Sequence, residues 1–239
     1  MSESVRLDAG VLIIGSLIWE AGRQAWRDAR LEIPSAETVT APIRYGRLSA
    51  KQRGHTYTMV FSRLCETGQA KVVRCSHTAS SAEDLIAEAE HLWKAEQPGA
   101  AAGRISAEWG CVALLYNPGR NIPQGLVTGW ANRIAHEPGY GSVPQTQDEG
   151  CLVSNDGLLR IPWPHLVEGG AAVQLDFLLA TANHPTLAGV PPSYASVETI
   201  ANAWKAAANN HVEYFWRNVE SGICTSQDDA IRERLRPRG

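Results

Sequence analysis

The chain has 239 residues, of which 44% are hydrophobic and 20% charged, and its formal net charge is −3. This composition is that of an ordinary globular protein, so it excludes a disordered, collagen-like or coiled-coil chain and leaves no basic footprint for nucleic acid. The first residues lack the layout of a signal peptide, and no apolar stretch approaches the roughly 20 residues of a membrane span, so we expect a cytoplasmic protein without a membrane partner.

The first strand signals lie between residues 11 and 75. Residues 11–14 (VLII) form a continuous apolar run, which predicts a strand buried on both faces. The run is followed by Gly15 and Ser16, which predict a sharp turn. Residues 55–61 and 70–75 are rich in β-branched and aromatic side chains, and a turn signal separates them, so we expect two neighbouring strands.

A helix and a further strand are predicted next. Ser80 and Glu83 have the spacing of a capping box, and the apolar residues that follow recur at helical spacing, so we expect a helix from about Ala82 to Ala95. Residues 109–116 (WGCVALLY) are strongly apolar and predict another strand.

The second half begins with a stretch rich in turn-forming residues. Residues 117–150 contain many Gly, Pro, Asn and Gln, which indicates a long surface insertion. Residues 151–161 predict a hairpin, and residues 171–181 alternate in hydrophobicity as a half-buried strand does. Two helices should close the chain, one capped by Ser196 and one over residues 212–219.

The turn after the first strand has the residues of a possible anion site. A glycine directly after a buried strand lets the backbone fold back, so that the N–H groups of Ser16 and Leu17 can converge on a carboxylate or phosphate. The alternative is an ordinary strand terminator, because Gly-Ser is common in turns.

Glu96 continues an apolar line on the predicted helix. Leu85, Ala89, Leu92 and Glu96 follow a spacing of four, three and four residues, so the carboxylate lies on the face that packs against the sheet. In a cleft, desolvation would raise its pKa and make it a useful general base. The alternative is an exposed glutamate at the helix end.

The cysteines form no metal motif. Their number is odd, they include no C-x-x-C pair, and no histidine lies at metal-ligand spacing, so we read them as reduced thiols and expect neither a metal nor a cofactor. Cys111 or Cys151 would be the nucleophile of a Cys-dependent enzyme, although nothing nearby in sequence activates either thiol. The five cysteines are Cys65, Cys75, Cys111, Cys151 and Cys224.

Two of these features occur in the order known from one family. Residues 11–19 (VLIIGSLIW) resemble the strand and loop of the γ-glutamyl cyclotransferase-like proteins, nearest their ChaC-type branch, where the usual pattern is Tyr-Gly-Ser-Leu. Leu92–Glu96 resembles the end of the first long helix, where those families place a catalytic glutamate. Further similarity lies near the C-terminus, in residues 179–185, 200–201, 210–214 and 222–223, and more loosely at Arg53-Gly54. The sequence departs from the pattern at Ile14, which stands in place of the tyrosine, and at Lys94-Ala95.

The resemblance implies an α+β fold with a small, mixed, barrel-like sheet and packed helices. It implies a single domain over residues 1–239 with an insertion at about 117–165. The implied reaction is cyclisation of a small-molecule γ-glutamyl substrate to 5-oxoproline, with Glu96 as the catalytic proton shuttle and Gly15, Ser16, Leu17 and Ile18 as the substrate-binding loop.

Two other functions stay open. Ile14 removes a hydroxyl from the loop, which is compatible with a binding or regulatory protein that has lost turnover. A Cys-dependent hydrolase or transferase would instead need Cys111 or Cys151 beside a histidine. The sequence specifies neither the γ-glutamyl donor nor the oligomeric state.

Overall fold

The computed structural model describes residues 6–51, 54–140, 152–207 and 212–236. In these ranges the strands are β1 (Ala9–Ile13), β2 (Glu37–Ala41), β3 (Ile43–Leu48), β4 (Tyr57–Phe61), β5 (Gly68–Arg74), β6 (Ser106–Ala107), β7 (Gly110–Tyr116) and β8 (Phe177–Asn183). The α-helices are α1 (Gln24–Arg30), α2 (Ala82–Glu96), α3 (Gln124–Ala135), α4 (Val197–Ala206), α5 (Val212–Glu220) and α6 (Asp228–Leu235). The protein is therefore of the α+β class, as predicted.

Strand β1 lies inside the main sheet. The strand order is β2-β5-β1-β8-β7-β6, with β1 antiparallel to β5 and parallel to β8. All five residues of β1 are buried, in a sheet that packs against helix α2 and against the β3–β4 hairpin. The prediction of a central, doubly buried strand is confirmed, and the parallel pair places the end of β1 beside the end of β8.

The sheet differs from the prediction in two respects. In the part of the chain that the structure describes, the six-stranded sheet is open, with β2 and β6 at its edges, so the barrel-like shape was wrong. Strands β4 and β5 are not neighbours either, because β4 pairs with β3 in a separate hairpin and β5 pairs with β1 and β2. Closeness in sequence favoured a hairpin between them, but β5 lies between β1 and β2, where Ala70, Val72 and Val73 are buried.

Helix α2 is confirmed, with a cap shifted by one residue. The Ser81 hydroxyl accepts a hydrogen bond from the Asp84 backbone N–H at 3.2 Å, and the Asp84 carboxylate accepts one from the Ser81 N–H at 3.1 Å. The predicted pair, Ser80 and Glu83, has the same spacing, so sequence alone does not choose between the two registers. Ser196 caps α4 as predicted, since its hydroxyl accepts a hydrogen bond from the Thr199 N–H at 3.1 Å.

The stretch predicted as a surface insertion contains helix α3. Leu126, Trp130 and Ile134 of this helix are buried, and α3 packs on α2. One of the glycines that indicated a loop has a packing role, because a Cβ on Gly129 would lie 2.3 Å from the Cβ of Ala82. Gly129 therefore lets the two helices cross closely, while residues 141–151 lie outside the described part of the chain.

Smaller corrections concern the second half of the chain. Strand β8 begins at Phe177, later than predicted, and six of its seven residues are buried, so it is not half-exposed. The hairpin predicted at residues 151–161 is reduced to a bridge between Val153 and Leu159 around a turn at Gly157, which has φ of +78°. Among the described residues, the longest helix is α2 with 15 residues, and no helix has the length and apolar character needed to cross a membrane.

Candidate active site

A cavity of about 320 Å³ opens at the C-terminal end of β1. It is lined by Ile14–Leu17 from the turn after β1 and by Glu96–Pro98 from the end of α2. Arg47 of β3, Trp109, and Thr181 and Asn183 of β8 also line it. Tyr214 of α5 lies on the lining as well. The structure thus brings together the predicted loop and the predicted glutamate.

The turn after β1 presents backbone N–H groups. It is a 3₁₀ turn over Ser16–Ile18, and its first bond runs from the Ile18 N–H to the Gly15 carbonyl at 3.5 Å. The N–H groups of Ser16 and Leu17 precede that bond, so the turn itself gives them no partner. Ile18 does not line the cavity and packs against the core, so its predicted place in the substrate-binding loop is not matched by its position.

Gly15 is needed because another side chain approaches it closely, and not because its backbone takes an unusual angle. Its φ of −172° is extended and open to any residue, which differs from the expectation that glycine was needed to fold the chain back. A Cβ on Gly15 would instead lie 2.7 Å from the hydroxyl oxygen of Tyr214. The glycine therefore allows Tyr214 to approach the turn.

A buried arginine anchors the same turn. Arg27 is 4% exposed, and its Nη1 donates to the carbonyl oxygens of Leu17 at 2.8 Å and Glu20 at 2.9 Å. The Ser16 hydroxyl donates to the Glu20 carboxylate at 3.0 Å. These bonds fix the turn through the carbonyl groups of Leu17 and Glu20 and leave the N–H groups of Ser16 and Leu17 out of this contact.

Glu96 is the last residue of α2 and is half-buried at the cavity. The helix end is held firmly, because Trp93 stacks on Trp109 with 4.7 Å between ring centroids and the indole N–H of Trp109 donates to the Gln97 side chain at 2.7 Å. Glu96 also lies close enough to Tyr214 for its charge to raise the pKa of that hydroxyl.

Sequence reasoning gave no role to Tyr214. Burial raises the pKa of Tyr214 to about 12, Glu96 adds to the rise, and Asn218, the Met59 backbone and Arg47 oppose it. The hydroxyl is therefore protonated at neutral pH. The signal was present in the sequence, because Tyr214 ends the segment 210–214 that resembles the family, but Asn210 and His211 of that segment lie outside the described residues.

Arg47 was also missed, because no pattern in the sequence indicated strand β3. Its guanidinium lies 4.8 Å from the centroid of the Trp109 ring, an arrangement in which the aromatic face stabilises the cation. Arg47 places a positive charge on the lining of a cavity that also holds the Glu96 carboxylate.

His184 follows Asn183 and contributes a pH dependence to stability. Burial lowers the pKa of His184 from 6.5 to about 4, and the charge of Arg47 lowers it further. The folded protein therefore prefers the neutral ring, whereas the unfolded chain takes up a proton once the pH falls below 6.5. We expect the free energy of unfolding to be undiminished above that pH and to decrease by up to about 3 kcal/mol as the pH falls toward the folded-state pKa.

Denaturant titrations across this pH range measure the effect. His184→Gln should flatten the pH dependence, whereas His91→Gln, at an exposed position on α2, should not. A His184→Gln profile parallel to that of the parent would contradict the assignment.

The described residues give little support to cysteine or metal chemistry. Cys111 is buried, and burial raises the pKa of its thiol to about 12, so the thiolate that a nucleophile needs is not formed at neutral pH. Cys151 and Arg53 lie outside the described ranges. Within those ranges, no group of three or more His, Cys, Asp or Glu side chains is arranged to hold a metal ion.

Comparison of the chain with protein-family models, curated proteins and solved structures finds no match.

Proposed function

We propose that the cavity binds a γ-glutamyl amide or peptide and cyclises its γ-glutamyl group to 5-oxoproline, releasing an amine. One observation carries this proposal: Ser16 and Leu17, which begin the turn after β1, and Glu96 at the end of α2 line the same cavity, although they are about 80 residues apart in sequence. An anion-binding turn beside a proton acceptor is the arrangement that this reaction needs.

The reaction has a defined place for each group. The N–H groups of Ser16 and Leu17 hold the α-carboxylate of the substrate, and Glu96 accepts a proton from the α-amine as that nitrogen attacks the γ-carbonyl carbon. A carbon–nitrogen bond forms within the γ-glutamyl group, and the amide bond to the leaving nitrogen breaks. Glu96 then returns the proton to the leaving nitrogen, so the products are 5-oxoproline and a neutral amine.

The residues missed in the sequence fit the same chemistry. Arg47 adds positive charge for a substrate that carries a carboxylate, and Tyr214 adds a protonated hydroxyl next to the turn. Because the attacking and leaving groups belong to one molecule, the protein has mainly to hold a reactive conformer and move a proton. Neither task requires a cofactor.

A non-catalytic binding protein is the second candidate, and a specific observation favours it. The Tyr214 hydroxyl comes within 2.7 Å of the Cβ position of Gly15, so it occupies space beside the turn that a ligand would approach. Ile14 adds an apolar side chain to the lining where the resembled loop has a tyrosine. Such a protein would bind a γ-glutamyl compound and leave it intact.

A substrate panel distinguishes the two candidates. The purified protein is incubated with γ-glutamyl amino acids, γ-glutamyl amines and glutathione, and 5-oxoproline is measured by mass spectrometry. Release that depends on the protein supports the enzyme. Calorimetric binding of a panel member without release supports the binding protein, and neither binding nor release would overturn both.

A further inference from the structure

Asn218 of helix α5 is a fully buried polar residue that the proposed reaction does not use. Its side-chain carbonyl accepts a hydrogen bond from the indole N–H of Trp19 at 2.8 Å, and the residue is 0% exposed. Trp19 directly follows the 3₁₀ turn Ser16–Ile18. Asn218 therefore ties the turn that begins the cavity to a helix almost 200 residues later in the chain.

The same side chain lies on the face of α5 that carries Tyr214. The two residues are four apart, so they are neighbours on the helix surface. The Trp19 ring meets the Tyr214 ring edge-on, with 5.9 Å between centroids. Trp19, Tyr214 and Asn218 thus form one contact group behind the turn.

The amide nitrogen of Asn218 takes no part in the bond to Trp19. Its Nδ2 is buried and, among the described residues, makes no hydrogen bond of normal geometry. An unpaired buried donor costs about 1 to 3 kcal/mol, so its retention calls for a reason. The amide lies near the hydroxyls of Tyr45 and Tyr214, where it opposes the rise in pKa that burial causes at both.

We infer that Asn218 is a positioning residue, whose Oδ1 holds the turn after β1 through Trp19 and whose buried amide, one helical turn from Tyr214 on α5, fixes that tyrosine beside the turn. One amide therefore sets the relative position of the turn and of Tyr214. The effect of Asn218 on catalysis rests on the proposed function, whereas its effect on the positions of the turn and Tyr214 does not.

The structural part is tested by nuclear magnetic resonance. In Asn218→Leu, which keeps a similar volume and loses both polar groups, we expect a shift of the Trp19 indole resonance, identified by its loss in Trp19→Phe. The backbone amide resonances of Gly15 and Ser16 should move as well. Asn202→Leu, at an exposed position on α4, is the matched control and should leave all of these resonances in place.

The catalytic part is tested with the panel substrate that gives the highest rate. We expect Trp19→Phe and Asn218→Leu each to lower kcat/KM for 5-oxoproline release by about tenfold or more, and the double variant to be no worse than Asn218→Leu alone, because Asn218→Leu already removes the hydrogen bond that Trp19→Phe breaks. Additive losses would overturn the inference, as would unmoved Gly15 and Ser16 resonances in Asn218→Leu.

If the parent protein releases no 5-oxoproline, the proposed function fails, and the resonances alone decide the inference. If Asn218→Leu does not fold, Trp19→Phe takes its place, since Trp19 is half-buried and phenylalanine keeps an aromatic ring against Tyr214. Unmoved Gly15 and Ser16 resonances in Trp19→Phe would then overturn it.

Discussion

Glu96→Gln is expected to lower the rate of 5-oxoproline release by about 10²- to 10⁴-fold, the usual contribution of general acid–base catalysis. Glutamine has nearly the same shape as glutamate but does not accept the proton of the attacking amine. The fold should be unaffected, because the helix end is fixed by the Trp93–Trp109 stack and by the bond from Trp109 to Gln97. Binding of the substrate should survive, because the proposed site for its α-carboxylate is the turn and not Glu96.

Initial rates and calorimetric affinities for the parent and the variant measure the two expectations separately. Glu83→Gln is the matched control, because Glu83 lies on the same helix, is exposed and does not line the cavity. A Glu96→Gln protein that keeps the parent's rate would show that the proton shuttle is another residue. A parent without turnover, and a variant indistinguishable from it in binding, would favour the non-catalytic alternative.

Gly15→Val is expected to abolish binding of the γ-glutamyl compound. The new side chain would collide with the Tyr214 hydroxyl, which lies 2.7 Å from the Cβ position, and either the turn or helix α5 must shift. Ser16→Ala should be mild by comparison, because the proposed contact is through backbone N–H groups and the Ser16 hydroxyl is bonded to Glu20. Calorimetry in the Glu96→Gln background measures both affinities without turnover.

A double substitution tests the reason for the effect. In the Tyr214→Phe background the nearest remaining atom, Cζ of residue 214, would lie 3.7 Å from the new Cβ, which is an ordinary contact. Gly15→Ala should therefore weaken binding strongly in the parent background and much less when residue 214 is phenylalanine. An equal loss in both backgrounds would mean that glycine is required for a reason other than the approach of Tyr214.

The predictable parts of the fold are those governed by local periodicity. The apolar run at residues 11–14 has no polar residue to face solvent, so it must be buried on both faces. The apolar residues of α2 form one stripe, so only one face of the helix can pack on the sheet. Strand pairing was less predictable, because β1 pairs with segments near residues 73 and 179 that no local signal relates to it. Helix α3 was missed because Gly129, which is required for the crossing with α2, reads in sequence as a loop former.

The residues of the candidate site also differ in how far local sequence predicted them. Gly15, Ser16, Leu17 and Glu96 could be proposed because they lie at the ends of recognisable elements, the first three after β1 and Glu96 at the end of α2. Arg47 and Tyr214 reach the cavity only through tertiary packing of β3 and α5. The sequence also could not show why position 15 is glycine. The backbone angles of Gly15 are open to any residue, and the requirement comes from the close approach of Tyr214.

The central place of β1 affects the order in which the protein can assemble. This strand is synthesised about 170 residues before one of its two neighbours, β8, is complete at Asn183. At a synthesis rate of about 5 to 20 residues per second, the edge of β1 that pairs with β8 stays unpaired for on the order of ten seconds. During this time an apolar strand is open to pairing with other chains. Native pairing that spans so much of the chain also slows folding, so a chaperone that shields the emerging first strand should raise the yield of native protein.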